Sequence, residues 1–296
     1  MQKTMSNWKD IANHISEVSA ATFGPAQARN VGGGCINSTV VLSDGKLSYF
    51  VKLNNAPRLA MFEAEAAGLA ELAATNSIRV PRPLCSGITG SDAYLVMEYI
   101  EMGAGGSGVT AGRQLALLHR TQQQTFGWTR DNTIGSTHQP NRPASDWVGF
   151  WREQRLGFQL ALAAKNGHRG QLQQRGERLL EQFPALIDHQ PKPSLIHGDL
   201  WAGNLSYDRR RQPVIYDPAT YYGDREAELA MTELFGGFGR SFYDAYNEAW
   251  PLDRGYPTRK TLYNLYHVLN HLNMFGGGYG GQALGMIDRL LAELGH

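Results

Sequence analysis

The spacing of apolar positions changes character twice along the chain. Trp8, Ile11, Ile15 and Val18 recur at helical spacing, with Ser6 as a candidate cap and Gly24-Pro25 as a stop. The period then shortens. ARNVGGGCINSTVVLSDGKLSYFVKLN predicts strand, glycine turn, strand, a hairpin turn at Asp44-Gly45, and strand. RLAMFEAEAAGLAELAA returns to the helical period in strong helix formers. VPRPLCSGITGSDAYLVMEYI predicts two more strands around a turn, so this part of the chain reads β-β-β-α-β-β.

EMGAGGSGV, from Glu101 to Val109, breaks the pattern and is the candidate hinge. GRQLALLHRTQ then predicts a helix, and TFGWTRDNTIGSTHQPNRPAS a long irregular loop. DWVGFWREQRLGFQLALAAKNG predicts a long amphipathic helix capped by Asp146, and helices resume from about Glu226. The expected class is α+β. Residues 1–100 form a small N-terminal lobe, an N-terminal helix plus a five-stranded antiparallel sheet with one packed helix. Residues 101–109 are a linker, and 110–296 a larger, mostly helical lobe.

Composition narrows the function. A net charge of +1 over 296 residues argues against sequence-independent nucleic-acid binding. Two cysteines, Cys35 and Cys85, are too few for a disulfide framework and lack metal-site spacing, so a reducing, cytoplasmic setting is expected. The charged N-terminal stretch has no apolar core of a signal peptide, and no segment reaches membrane-spanning length.

Chemistry concentrates in LIHGDLWAGNL. Asn204 follows Asp199 by five positions, and a short apolar strand then ends at Asp217. Protein kinases share this order: a catalytic-loop Asp, an Asn five residues on, and a metal-binding Asp after a strand. Mg²⁺ bridging the phosphates of ATP takes hard oxygen ligands, which Asn204 and Asp217 supply, while Asp199 is placed to act as base on the acceptor hydroxyl. His197 is read as a support for this loop through hydrogen bonds.

The N-terminal lobe offers the other half. The glycines Gly32, Gly33 and Gly34 bring backbone N–H groups toward phosphate oxygens. Lys52 on the third strand is the candidate contact to the α/β-phosphates, with Glu65, thirteen positions on, as its partner and Glu63 as a rival. Backbone groups of Glu98 and Ile100, with Tyr99 between them, would meet the adenine edge. Alone, the glycine run reads as a turn, Lys52 as an edge charge and Glu65 as a solvated helix face. The order of all six elements from 32 to 217 ties them together.

HGDLWAGN, VGGGCIN, DPATYYGDREAELAM, and FGWTRDNTIGSTHQPN followed by DWVGFWREQRLGFQL, resemble the fructosamine-3-kinase/ketosamine-3-kinase family over nearly the whole chain. That family has a bilobal protein-kinase-like fold shared with aminoglycoside and choline phosphotransferases. The resemblance implies ATP- and Mg²⁺-dependent phosphorylation of the sugar 3-hydroxyl in a glycated amine. The product falls apart and frees the amine, a deglycation repair. Fructose- and ribulose-derived sugars, and free and protein-bound amines, all fit; nothing in the sequence sets an oligomeric state. DPA replaces the DFG of protein kinases and no APE segment follows, so a phosphorylation-controlled loop is not expected. Glu228 stands where many phosphotransferases carry a loop-bracing Asp, and that role stays open. Trp201 is read either as packing on the sugar or linker, or as a buried loop anchor. Cys35 beside Gly34 is read either as a redox-sensitive thiol or as a small turn residue. Two alternatives remain: an aminoglycoside or choline kinase of the same fold, and a nucleotide-binding pseudokinase.

Overall fold

The structure is a computed structural model that describes residues 5–24, 26–32 and 36–295. The chain forms two compact units: residues up to Gly106 together with Ser206–Asp217, and Ser107–Leu205 together with Pro218 onward.

In the first unit, α1 (Met5–Ser19) is followed by β1 (Gln27–Asn30), β2 (Ser38–Ser43), β3 (Ser48–Asn55), α2 (Leu59–Ala74), β4 (Pro83–Thr89) and β5 (Asp92–Glu98). The five strands form one antiparallel sheet in the order β1-β2-β3-β5-β4. The β2–β3 turn is held by Asp44, whose Oδ1 accepts the N–H groups of Lys46 (2.8 Å) and Leu47 (2.7 Å). Ile11 and Ile15 of α1 pack with Val40, Leu42, Val51, Leu53, Tyr94 and Val96. Val18 continues the helical spacing but is 49% exposed, because the packed face ends at Ile15. Ser6 lies inside the first turn of α1, not ahead of it.

Side chains alternate across a strand. With Val51 and Leu53 in the α1 cluster, Lys52 projects from the opposite face, where α2 contacts β4 and β5. The late segment Ser206–Asp217 joins this unit through Asp208. Its buried carboxylate accepts Arg79, and it also takes the N–H of Arg210 (2.8 Å) and Gln212 (2.9 Å). The Arg79 carbonyl accepts the Ile215 N–H at 3.0 Å. Asp217 thereby lies in the same unit as Lys52.

The second unit opens with α3 (Gly108–His119), capped by Ser107. The stretch read as an irregular loop contains a hairpin of β6 (Asn132–Ile134) and β7 (Thr137–Gln139). Then come α4 (Trp147–Trp151), capped by Asp146, a π-helical turn (Arg152–Leu156) and α5 (Gly157–Lys165). The π turn sits in one continuous helical run and carries the buried Gln154 and Arg155. Next are α6 (Gln171–Gln182) and β8 (Ser194–Ile196). The paired strands β9 (Leu205–Tyr207) and β10 (Pro213–Ile215) lie mostly in the first unit. β11 (Tyr221–Gly223) pairs antiparallel with β8 and precedes α7 (Arg225–Leu234), α8 (Arg240–Ala249), α9 (Tyr256–Phe275) and α10 (Tyr279–Glu293). The core here is aromatic: Trp147, Phe150, Trp151, Tyr221, Tyr263 and Tyr266 interlock. No described helix is long and apolar enough to cross a membrane.

Candidate active site

In the first unit the site is built on Lys52. Its Nζ lies 2.5 Å from Glu65 on α2 and 2.5 Å from Asp217. Glu65, not Glu63, meets the lysine. Burial alone would discharge Lys52, but the Asp217 and Glu65 carboxylates outweigh it and raise its pKa. Burial, with Asp217 nearby, pushes the Glu65 carboxyl above its ordinary value against the pull of Lys52. Asp217 has φ +61 and a 46% exposed side chain. A left-handed aspartate is uncommon, and such backbone outliers concentrate at functional sites.

Gly32 has open space where a Cβ would stand, whereas Gly33, Gly34 and Cys35 lie outside the described residues. Glu98 ends β5; its N–H donates to the Arg82 carbonyl (2.8 Å) and its carboxylate pairs with Arg79 (2.6 Å). Tyr99 Oη accepts Arg29 at 3.4 Å, and Ile100 is buried.

In the second unit β8 runs directly into the loop His197–Asn204. Glu228 of α7 takes the backbone N–H of His197 (2.9 Å) and of Gly198 (2.7 Å), and His119 Nε2 donates to it at 3.0 Å. Glu228 is the loop brace. Burial would raise its carboxyl pKa, yet the His119 and His197 contacts dominate and hold it below the ordinary range. Gly198 has φ +85, and a Cβ there would stand 2.1 Å from the Ala219 carbonyl oxygen, so glycine is required. His197 is fully buried; its Nδ1 accepts the Asp199 N–H at 3.3 Å and its carbonyl accepts the Ala219 N–H at 2.8 Å. It supports the loop.

The loop then closes on itself. Asn204 Nδ2 donates to the Asp199 carbonyl at 2.9 Å, and the Asn204 N–H to the Trp201 carbonyl at 2.9 Å. With its amide N–H committed, Asn204 presents its carbonyl oxygen as the ligand-capable atom. That oxygen, and in the first unit the Asp217 carboxylate, are each hard oxygen donors of the kind Mg²⁺ takes, so each residue by its own chemistry suits the metal. Trp201 is 38% exposed and is no buried anchor. Its indole lies over Gly203, where a Cβ would approach to 2.3 Å, and meets Phe235 edge-to-face at 6.2 Å.

Sequence reasoning missed the groups that hold the segment after Asp217. Asn132 donates to the Thr220 carbonyl (2.8 Å) and Gln139 to the Ala219 carbonyl (3.1 Å). His119 was also missed; a histidine closing the apolar run LALL is its sequence signal. His189, Asp224 and Glu226 place ligand atoms within 4.8 Å of one another, but Arg259 and Tyr263 already satisfy the two carboxylates.

A buried strand lysine clamped by a helix glutamate and a left-handed aspartate, with a separate braced Asp–Asn loop, defines a phosphotransferase of protein-kinase-like fold. The chain belongs to the fructosamine kinase family, whose profile matches residues 7–293. It is 49% identical to a probable ketoamine kinase of Synechocystis, over 96% of this chain and 97% of that one. It is 44% identical to the chloroplastic protein-ribulosamine 3-kinase of Arabidopsis thaliana, over 90% and 82%. The crystal structure of a fructosamine-3-kinase-like protein from Haemophilus somnus superposes with a TM-score of 0.88 at 30% identity, over 96% of this chain and 97% of the other.

Proposed function

We propose that this chain is an ATP- and Mg²⁺-dependent kinase acting on the sugar 3-hydroxyl of ketosamines, free or protein-bound. The observation that carries the reading is the Lys52 ammonium, buried and 2.5 Å from both Glu65 and Asp217, in a chain that matches fructosamine kinases nearly end to end. Such a lysine is a fixed positive charge for the α/β-phosphates, oriented by Glu65. Gly32, Gly33 and Gly34 are the glycines assigned by sequence to the phosphate oxygens. Because the Glu98 N–H is committed to Arg82, its carbonyl and the backbone of Ile100, with Tyr99 between them, are the groups assigned to adenine.

Asn204 and Asp217 would hold Mg²⁺, which when bound neutralises phosphate charge. Asp199 accepts a hydrogen bond from the 3-hydroxyl and takes its proton as the oxygen–phosphorus bond forms and ADP departs. Trp201, pinned on Gly203 two residues past Asp199, borders the acceptor. Family membership over residues 7–293 and intact Lys52, Asp199, Asn204 and Asp217 weigh against the aminoglycoside, choline and pseudokinase readings. The uncombined, half-buried Cys85 thiol, pushed up to about 11 by burial, suits a reducing, cytoplasmic setting.

The test is ADP release with Mg-ATP and fructose- or ribulose-derived ketosamines of blocked lysine, with phosphorus NMR to locate the new ester. Ester at O3 supports the reading. Equal ADP release without a ketosamine, or an ester elsewhere, overturns it.

A further inference from the structure

An aromatic row begins at Trp201 and runs away from the catalytic loop within the second unit. Trp201 meets Phe235 at 6.2 Å, Phe235 meets His271 at 5.0 Å, and His271 meets Phe275 at 5.6 Å and Tyr279 at 5.2 Å. These residues come from four places: the catalytic loop, the residue after α7, one face of α9, and the start of α10. The row is fixed at its start and at its centre. Gly203 seats the indole, and His271 Nδ1 donates to the His267 carbonyl at 2.8 Å. It is also accessible: Trp201 is 38% and Phe275 55% exposed. A contiguous, partly exposed aromatic surface on a soluble domain marks a binding site more often than a packing accident.

Its starting point limits what it can bind. The base Asp199 fixes where the acceptor oxygen must lie, and the row starts two residues later, so it receives what is attached to the sugar near that oxygen. In a ketosamine that neighbour is the amine nitrogen, joined through one methylene to the carbonyl carbon beside C3. This secondary amine is basic and carries a proton near neutral pH, and an alkyl chain extends beyond it. One indole can also stack on the C–H face of a sugar, but the row beyond Trp201 offers mainly ring faces and apolar contact, which suit an alkylammonium chain better than a sugar's hydroxyls.

We propose, resting on the ketosamine kinase reading above, that Trp201, Phe235 and His271 form the amine subsite. The Trp201 and Phe235 rings hold the protonated nitrogen by cation–π attraction, His271 backs Phe235 at 5.0 Å, and Phe275 and Tyr279 carry the alkyl chain outward. Recognition thus reads the charge and the chain, not the sugar alone.

The experiment compares kcat/KM for a ketosamine of blocked lysine with that for the 1-deoxy ketose of the same sugar, which keeps O3 but lacks the amine. Wild type should prefer the amine, and Phe235→Leu should lower that preference roughly 3- to 30-fold with the KM for ATP unchanged. Phe275→Leu, at a half-exposed position where folding is not at stake, should lower it less. Equal activity of wild type on both substrates overturns the proposal while leaving the kinase reading intact. So does an undiminished preference in both variants, or an equal loss on both substrates. Failure of wild type to phosphorylate any ketosamine removes the kinase reading and this subsite together.

Discussion

Glu228 makes the sharpest prediction, because one buried carboxylate holds three donors at the catalytic loop. It is 2% exposed and accepts the His197 and Gly198 N–H groups and His119 Nε2. In Glu228→Ala all three lose their acceptor away from solvent. Each unsatisfied buried donor costs roughly 1–3 kcal/mol, and water entering the vacated space returns part of that, so the net loss should be about 3–5 kcal/mol. Glu228→Gln keeps one oxygen but turns an NH₂ toward a donor, and should cost about 1–3 kcal/mol. Both should also lower kcat. The braced N–H groups immediately precede Asp199, and a displacement of about 1 Å costs on the order of 10²-fold.

The same carboxylate sets an acid limb. Its folded pKa lies below the ordinary value of 4.5, held there against burial by His119 and His197. A depressed carboxyl contributes stability in full above its unfolded pKa and loses it as pH falls through the folded pKa. Wild type should therefore weaken as pH drops below 4.5, and Glu228→Gln should show a flatter fall there. Urea unfolding across pH, with exposed Glu248→Ala as control, is the assay. If Glu228→Ala unfolds within about 0.5 kcal/mol of that control, or Glu228→Gln keeps the wild-type acid limb, the bracing argument is refuted.

Asp199→Ala should lower kcat by about 10²–10⁴-fold with Mg-ATP affinity nearly intact, read by initial rates and nucleotide titration; full turnover would end the base assignment. Asp217→Ala should instead weaken Mg-ATP binding, which calorimetry with and without Mg²⁺ measures. Gly203→Ala puts a Cβ within 2.3 Å of the Trp201 indole, so the KM for the ketosamine should rise and that for ATP should not. Gln139→Leu strips the donor from the Ala219 carbonyl and the acceptor from Tyr266, and should cost about 1–3 kcal/mol in chemical denaturation.

Local periodicity carried the sheet and most helices, because strand alternation and helical spacing are written in adjacent residues. The Lys52–Glu65 contact was legible for the same reason: thirteen positions link a third strand to the helix that packs on the opposite sheet face from α1. What adjacency does not encode was missed. The hairpin β6–β7 has three-residue strands whose buried positions are Asn132, Ile134, Thr137 and Gln139, of which only Ile134 is apolar, so it shows no apolar alternation. The attachment of Ser206–Asp217 to the first unit depends on Arg79 meeting Asp208 across 129 positions. The sequence left Trp201 open between anchor and contact; its exposure over Gly203 decides against the anchor.

The absence of an APE-type segment acquires a physical counterpart in that hairpin. Kinases switched by phosphorylation order the stretch after the metal aspartate by adding charge to it. Here the carbonyls of Ala219 and Thr220 are held by Gln139 and Asn132. Those amides are tied to each other at 2.8 Å and to Asn141 at 2.9 Å, while Tyr266 donates to Gln139 at 2.6 Å. Arg155 anchors Asn141 at 2.7 Å and lies 4.0 Å over the Tyr221 ring. The clamp is thus built from neutral amides, one tyrosine hydroxyl and one guanidinium. A modification acting on this segment would have to break hydrogen bonds among buried groups. Each group left behind would cost about 1–3 kcal/mol, so the hydrogen bonds from residues 132–141 oppose any rearrangement of this segment.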